Sequence, residues 1–166
     1  MQTPTPVNTE PTSTAVIPTP VTGTTMTVNY FVPKDITKYM SAEELYSQDK
    51  QGTDPALTVA YDKDTTTTAS TEDPMRTAVQ AALSILPAGG GPPHANVVYL
   101  KVDGISAYVM LDIDFNGWAG VSAVEAALHP VITKNLMQFS AIKYVVFGPA
   151  PGDTREKIQG SLNLQY

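Results

Sequence analysis

Cysteine is absent from this 166-residue sequence. Its absence excludes disulfide bonds, a thiolate nucleophile and any zinc site built from cysteine thiolates. The only imidazole groups belong to His94 and His129, and two histidines do not complete a metal site by themselves. We therefore predict no metal and no cofactor.

Basic residues and long apolar runs are also scarce. The sequence has 10 basic and 16 acidic residues, so its formal charge of -6 repels the phosphate backbone of nucleic acids. It has no Lys/Arg cluster for an anionic membrane surface and no apolar run of the roughly 18 to 20 residues that a membrane span needs. We predict no nucleic acid and no membrane insertion. If the protein is exported, we expect its signal or anchor to lie outside this sequence.

Residues 1–25 are mainly Thr, Pro and Val with one charge, Glu10. Such a segment buries too little apolar surface to offset the entropy of ordering, and its prolines favour extended, polyproline-like conformations. We predict a disordered stalk or linker here and one folded domain over 26–166. The stalk is either a spacer between the domain and an envelope anchor or an ordinary flexible terminus.

Five segments have the β-branched content or alternation of strands: 26–32, 57–61, 97–102, 108–115 and 142–147. The predicted core-facing residues of the third and fourth are Val98, Leu100 and Val102, then Val109, Leu111, Ile113 and Phe115. Asp103-Gly104 predicts a hairpin turn. The polar run 62–70 is interpreted as a solvated loop, and 158–164 as an edge strand.

Two helices are predicted from capping residues and apolar stripes. Asp73-Pro74 is a strong helix start, and the stripe after it is Met75, Ala78, Val79, Ala82, Leu83 and Leu86. The capping box Ser122–Glu125 opens a helix to Phe139 that Pro130 should kink. Its predicted apolar stripe is Val124, Leu128, Val131, Ile132, Leu136 and Phe139. The other capping box, at Ser41, predicts a short helix to Ser47. The predicted fold is α+β, with a single mixed, largely antiparallel sheet and two main helices packed on one face.

The order of these elements resembles the GerMN domain family, named for sporulation and spore germination proteins. The similar segments are 75–83 (MRTAVQAAL), 109–115 (VMLDIDF) and 139–145 (FSAIKYV), and the resemblance covers about residues 26–164. It implies an extracytoplasmic bacterial envelope lipoprotein and a part in binding or assembly. The family supplies no catalytic residues to carry over. The sequence departs from its pattern in the polar stretch 33–70 and at Pro130.

Asp112 and Asp114 precede Asn116-Gly117 in the manner of a calcium loop, which places oxygen ligands on alternate residues. The closing glutamate should stand where Ala123 is, and Glu125 comes two residues late. The alternative is that both aspartates project from the solvent face of a strand. We predict exposed carboxylates with neither a metal nor a catalytic role.

The candidate binding residues are Asn116, Trp118 and His94, all of which lie in predicted loops. Trp118 is the only tryptophan, and it either plugs the end of the core or offers an aromatic surface to a partner or a sugar. The leading hypothesis is a non-catalytic module, with monomers slightly favoured, that binds an envelope protein or a cell-wall polymer.

Two alternatives stay open. A small envelope hydrolase acting on cell-wall glycan would use Asp112, Asp114, Glu125 or a histidine inside a deep pocket. A ring- or stack-forming assembly subunit would need a repeated heterologous interface. Buried, perturbed carboxylates would favour the hydrolase, and sedimentation at rising concentration would separate the assembly subunit from a monomer.

Overall fold

The computed structural model describes residues 24–49, 60–69, 71–86, 95–113 and 121–161. Within these ranges the strands are β1 (Thr25–Pro33), β2 (Tyr61–Ala69), β3 (Ala95–Asp103), β4 (Ser106–Ile113) and β5 (Tyr144–Phe147). The helices are α1 (Ile36–Asp49), α2 (Pro74–Leu83), α3 (Val121–Met137) and α4 (Arg155–Ser161). The predicted stalk, apart from its last two residues, lies outside the described residues.

The α+β class is confirmed, but the described strands form two sheets instead of one. β1 pairs antiparallel with β2, from Thr25 opposite Ala69 to Pro33 opposite Tyr61. The predicted loop over 62–70 was therefore wrong. The β-branched threonines 65–68 suit a strand, and they lack apolar alternation because β2 lies at the edge of a two-stranded sheet with most of its side chains exposed.

The second sheet has the order β3-β4-β5, antiparallel between β3 and β4 and parallel between β4 and β5. The predicted turn is confirmed at Gly104, whose φ of 59° suits glycine. A β-bulge between Val97 and Tyr99 shifts the register of β3. Val97 is therefore buried before the bulge, and only Leu100 of the predicted face packs against the core, while Val102 is exposed.

Of the four helices in the described part, α2 begins where it was predicted, whereas α1 and α4 differ from the predictions. α2 begins as predicted, since Asp73 Oδ1 accepts a hydrogen bond from the Met75 N–H at 2.9 Å. α1 begins earlier than the Ser41 box, because Asp35 Oδ1 accepts the Lys38 N–H at 2.9 Å. α4 includes residues 158–161 of the predicted edge strand 158–164, so that prediction is wrong there, and 162–164 lie outside the described residues. The apolar signal came from Ile158, which is buried.

α2 and α3 pack against each other, and each also contacts strands of both sheets. Their apolar stripes meet strand residues in one core, whose largest fully buried members are Leu83, Leu86, Leu128, Ile132, Leu136, Ile142, Val79, Val109 and Val131. The predicted stripe of α2 is confirmed. That of α3 is confirmed from Leu128 onward, and its first turns lie outside the side chains described.

The amide side chains of two helix residues hydrogen-bond to the backbone on the outer edges of β1 and β3. Asn135 of α3 accepts the Phe31 N–H at 2.8 Å and donates to the Phe31 carbonyl at 2.7 Å, as a neighbouring strand would. Gln80 of α2 likewise accepts the Val97 N–H at 2.9 Å and donates to the Ala95 carbonyl at 3.2 Å. These backbone groups on the outer edges of β1 and β3 are thus satisfied from within the molecule.

Candidate functional site

The predicted binding residues His94, Asn116 and Trp118 lie outside the described residues, as do Asp114 and the side chain of Glu125. Asp112 is on β4 and exposed, as the solvent-face interpretation predicted. His129 lies half-buried in α3, with its ring stacked on Phe147 at 3.5 Å between centroids. No cluster of three metal-ligating side chains occurs among the described residues.

A row of tyrosines crosses the outer face of the three-stranded sheet. Tyr99 lies opposite Met110, Tyr108 opposite both Lys101 and Val146, and Tyr144 opposite Ser106. Residues that are directly opposite in register project from the same face, and alternate residues of one strand share a face. Tyr99, Tyr108 and Tyr144 therefore form a diagonal row, with neighbours roughly 7–8 Å apart. We call this set the tyrosine row.

The strands that carry the tyrosine row are packed against the core on their inner face. The opposite face of the same strands carries Ala107 and Val109, which are 0% and 1% exposed, and Leu100, which packs against the core. The outer face is open by comparison, since Tyr144 is 62% exposed and Val146 is 40% exposed. Strands that are packed on their inner face and hydrogen-bonded to one another in a sheet present their outer aromatic residues at fixed positions.

One end of the tyrosine row is fixed by a charged residue that follows β5. Asp153 Oδ2 accepts hydrogen bonds from the Tyr99 hydroxyl at 2.7 Å and from Lys101 Nζ at 2.8 Å. The Ala150 N–H donates to the Tyr99 hydroxyl oxygen at 3.3 Å. These hydrogen bonds attach the turn before α4 to β3. They also fix the position of the Tyr99 ring at the edge of the open face.

The same contacts change the acidity of the groups that make them. The hydrogen bonds from Lys101 and then Tyr99 hold the pKa of the Asp153 carboxyl below its usual range. Burial, followed by the hydrogen bond to Asp153, raises the pKa of the Tyr99 hydroxyl. Both shifts favour the charge distribution of the bonded state, with Asp153 ionised and Tyr99 neutral.

Low pH is expected to weaken the hydrogen bonds of Asp153 with Tyr99 and Lys101. A carboxyl whose pKa is lowered by folding stabilises the protein fully above its ordinary value of 3.8 and loses that contribution as the pH falls through the folded value. The stability advantage of wild type over Asp153→Asn should therefore shrink from about pH 4 downward, as measured by urea unfolding over a pH series. In a protein that also carries Lys101→Met, this stability advantage should decrease less as the pH falls. An advantage that stays constant into acid would contradict the assignment.

An open cavity of about 350 Å³ lies against α2 and is a weaker candidate. It is lined by Thr66 of β2 and by Arg76, Thr77, Gln80, Ala81 and Ser84. Four of these side chains already hydrogen-bond to backbone carbonyls: Thr77 to Asp73, Ser84 to Gln80, Arg76 to Val97 and Gln80 to Ala95. Their polar groups hold the fold together and do not converge on the cavity.

The chain matches no family model, no curated protein and no solved structure. The GerMN resemblance therefore rests on the sequence features alone and stays a prediction. In the described part of the chain, no helix is both long and apolar enough to cross a membrane.

Proposed function

We propose that the chain is a non-catalytic binding module of the bacterial cell envelope, outside the cytoplasm, and that it binds a cell-wall glycan through the tyrosine row. The observation that carries the proposal is the row itself, three tyrosines at regular spacing on the open face of a rigid sheet. Tyrosine offers a large apolar ring and a hydroxyl at low cost in side-chain entropy, so it is frequent at binding hot spots. The envelope location follows from the GerMN resemblance.

The neighbours of the row favour a glycan over a protein partner. Lys101 lies directly opposite Tyr108, and Ser106 lies directly opposite Tyr144. Charged residues are depleted at the centre of protein interfaces, where they would have to lose their water. A sugar chain instead offers apolar C–H faces beside hydroxyl groups, and these complement rings interleaved with hydrogen-bonding side chains.

Removing one ring of the row should weaken binding strongly. Truncation of an aromatic residue at a binding hot spot commonly costs about 2 kcal/mol of binding free energy, so Tyr144→Ala should raise the Kd for cell-wall glycan about thirtyfold. Co-sedimentation with insoluble peptidoglycan measures this directly. Tyr108→Ala should behave similarly.

The matched control is Ile85→Ala, which removes another exposed apolar side chain, 39% exposed, that lies in the turn after α2 and does not belong to the tyrosine row. It should bind as wild type does. Equal binding by Tyr144→Ala and Ile85→Ala would refute the proposal. Release of soluble sugar fragments during the incubation would instead support the hydrolase alternative.

A further inference from the structure

Three residues form a line across the outer face of the three-stranded sheet, at the end where β3 turns into β4. Asp103 of β3 lies directly opposite Ser106 of β4, and Ser106 lies directly opposite Tyr144 of β5. Residues in register project from the same face and neighbouring strands are roughly 4.8 Å apart, so Asp103 and Tyr144 lie roughly 10 Å apart. Tyr144 is the most exposed ring of the tyrosine row. It therefore has a hydroxyl and then a carboxylate beside it.

The charges on this face are mainly negative. In the three strands, the outer face carries one lysine, Lys101, and two exposed aspartates, Asp103 and Asp112. The Lys101 ammonium lies 2.8 Å from Asp153 Oδ2, which neutralises its charge. In the described part of the chain, no hydrogen bond or ion pair engages the carboxylate of Asp103 or of Asp112. The strands thus offer carboxylate oxygens that can accept hydrogen bonds, and their one cation is already paired.

We propose that Asp103 selects the ligand of the tyrosine row, and that this ligand is an uncharged, hydroxyl-rich sugar chain that runs across the strands. When one sugar ring stacks on Tyr144, the next sugar of such a chain lies over Ser106 and Asp103. The Asp103 carboxylate accepts hydrogen bonds from its hydroxyl groups, and the Ser106 hydroxyl donates or accepts one more. This inference rests on the proposed function, because it requires that the row binds a glycan.

Anionic polymers complement the same face poorly. A polymer with a phosphate or carboxylate in each repeat would bring its charges against Asp103 and Asp112, in a chain whose formal charge is already -6. Like charges brought together in an interface cost binding free energy and suppress the wrong partner. An uncharged sugar chain avoids this cost and supplies the hydroxyl donors that the carboxylate lacks. The charges therefore favour a neutral glycan over a phosphate-bearing one.

The test compares Asp103→Ala with Asp112→Ala, which removes the same charge from the same face at the other end of β4. The probe is a soluble, uncharged hexasaccharide of N-acetylglucosamine, titrated by calorimetry. Loss of a charged acceptor should raise the Kd about tenfold in Asp103→Ala, whereas Asp112→Ala should stay within about twofold of wild type. Asp103→Asn keeps one acceptor oxygen, so its Kd should rise only about threefold. Equal effects of the two alanine variants would overturn the inference.

The charge of the ligand can be tested on wild type, without any variant that must fold. Binding of the hexasaccharide should be the same at about 50 mM and about 500 mM NaCl, because the sugar carries no charge to be screened. Poly(glycerol phosphate) should bind at least about tenfold more weakly than the hexasaccharide at the lower salt concentration. Equal or tighter binding of poly(glycerol phosphate) would contradict the inference.

Failure of this inference is distinguishable from failure of the proposed function. Peptidoglycan binding that is weakened by Tyr144→Ala and unchanged in Asp103→Ala would support the tyrosine row and reject the role of Asp103. Wild type that does not bind peptidoglycan at all would reject both.

Discussion

Replacing Asn135 by leucine is expected to lower the free energy of unfolding by about 3 kcal/mol, because two backbone groups of β1 lose their only partner from α3. The Asn135 side chain is 0% exposed, and it bonds to the N–H and C=O of Phe31 as well as to the Val131 carbonyl at 2.9 Å. Leucine has a similar volume and cannot make these bonds. Urea unfolding at neutral pH measures the loss.

The matched control for Asn135 is Gln138→Ala, one turn further along the chain. Gln138 also donates to a carbonyl of β1, that of Asn29 at 3.0 Å, in a bond exposed to water, and to the backbone carbonyl of Asn135 at 2.9 Å. Water can replace the bond to Asn29, so the variant should lose less than about 1 kcal/mol. Comparable losses in both variants would mean that Asn135 does not act by satisfying a buried edge.

The elements predicted from the sequence are those whose signals are local. Asp73 and Pro74 fix the start of α2 through one side-chain bond and one missing donor, both readable from two adjacent residues. The pairing of β2 with β1 joins residues that are separated by 28 to 44 positions, and no residue within 62–70 indicates which strand is the partner. Its threonines favour a strand, but without apolar alternation they do not indicate a partner strand, and only the pairing with β1 makes the segment part of a sheet.

The tyrosine row could not be predicted for a related reason. Tyr99 and Tyr108 face the same side only because the bulge at Val97 shifts β3 by one residue against β4. The strict alternation predicted for β3 placed Val98 and Val102 inward instead. Tyr144 belongs to the row because β5 pairs in parallel with β4, and the chain between these two strands includes the whole of α3. The sequence signals that could be used were three tyrosines in predicted strands, without the registers that bring them together.

Asn135 was missed because the stripe of α3 was counted from apolar residues alone. A polar residue between Ile132 and Leu136 on a buried face is a sequence signal, since an unpaired amide there would be costly. Such a residue indicates that α3 packs beside a polar partner, for which an open strand edge is suitable. The partner itself, Phe31 of β1, follows only from the tertiary structure.

The orientation of α3 can be tested by two adjacent residues of similar size. Leu136 is 0% exposed and Met137 is 50% exposed. Leu136→Ala should cost about 3 kcal/mol of unfolding free energy, from lost apolar burial and the cavity left behind, measured by urea unfolding. Met137→Ala should change stability by less than about 0.5 kcal/mol.

Equal losses from Leu136→Ala and Met137→Ala would mean that α3 is rotated about its axis, so that Leu136 is not its buried residue and Met137 its exposed one. Such a rotation would also move Asn135 away from Phe31 and open the edge of β1. The Leu136 and Asn135 variants therefore test one arrangement by independent means, since the first reports apolar packing and the second reports hydrogen bonding. A large loss in one and none in the other would locate the error in the helix face or in the edge contact.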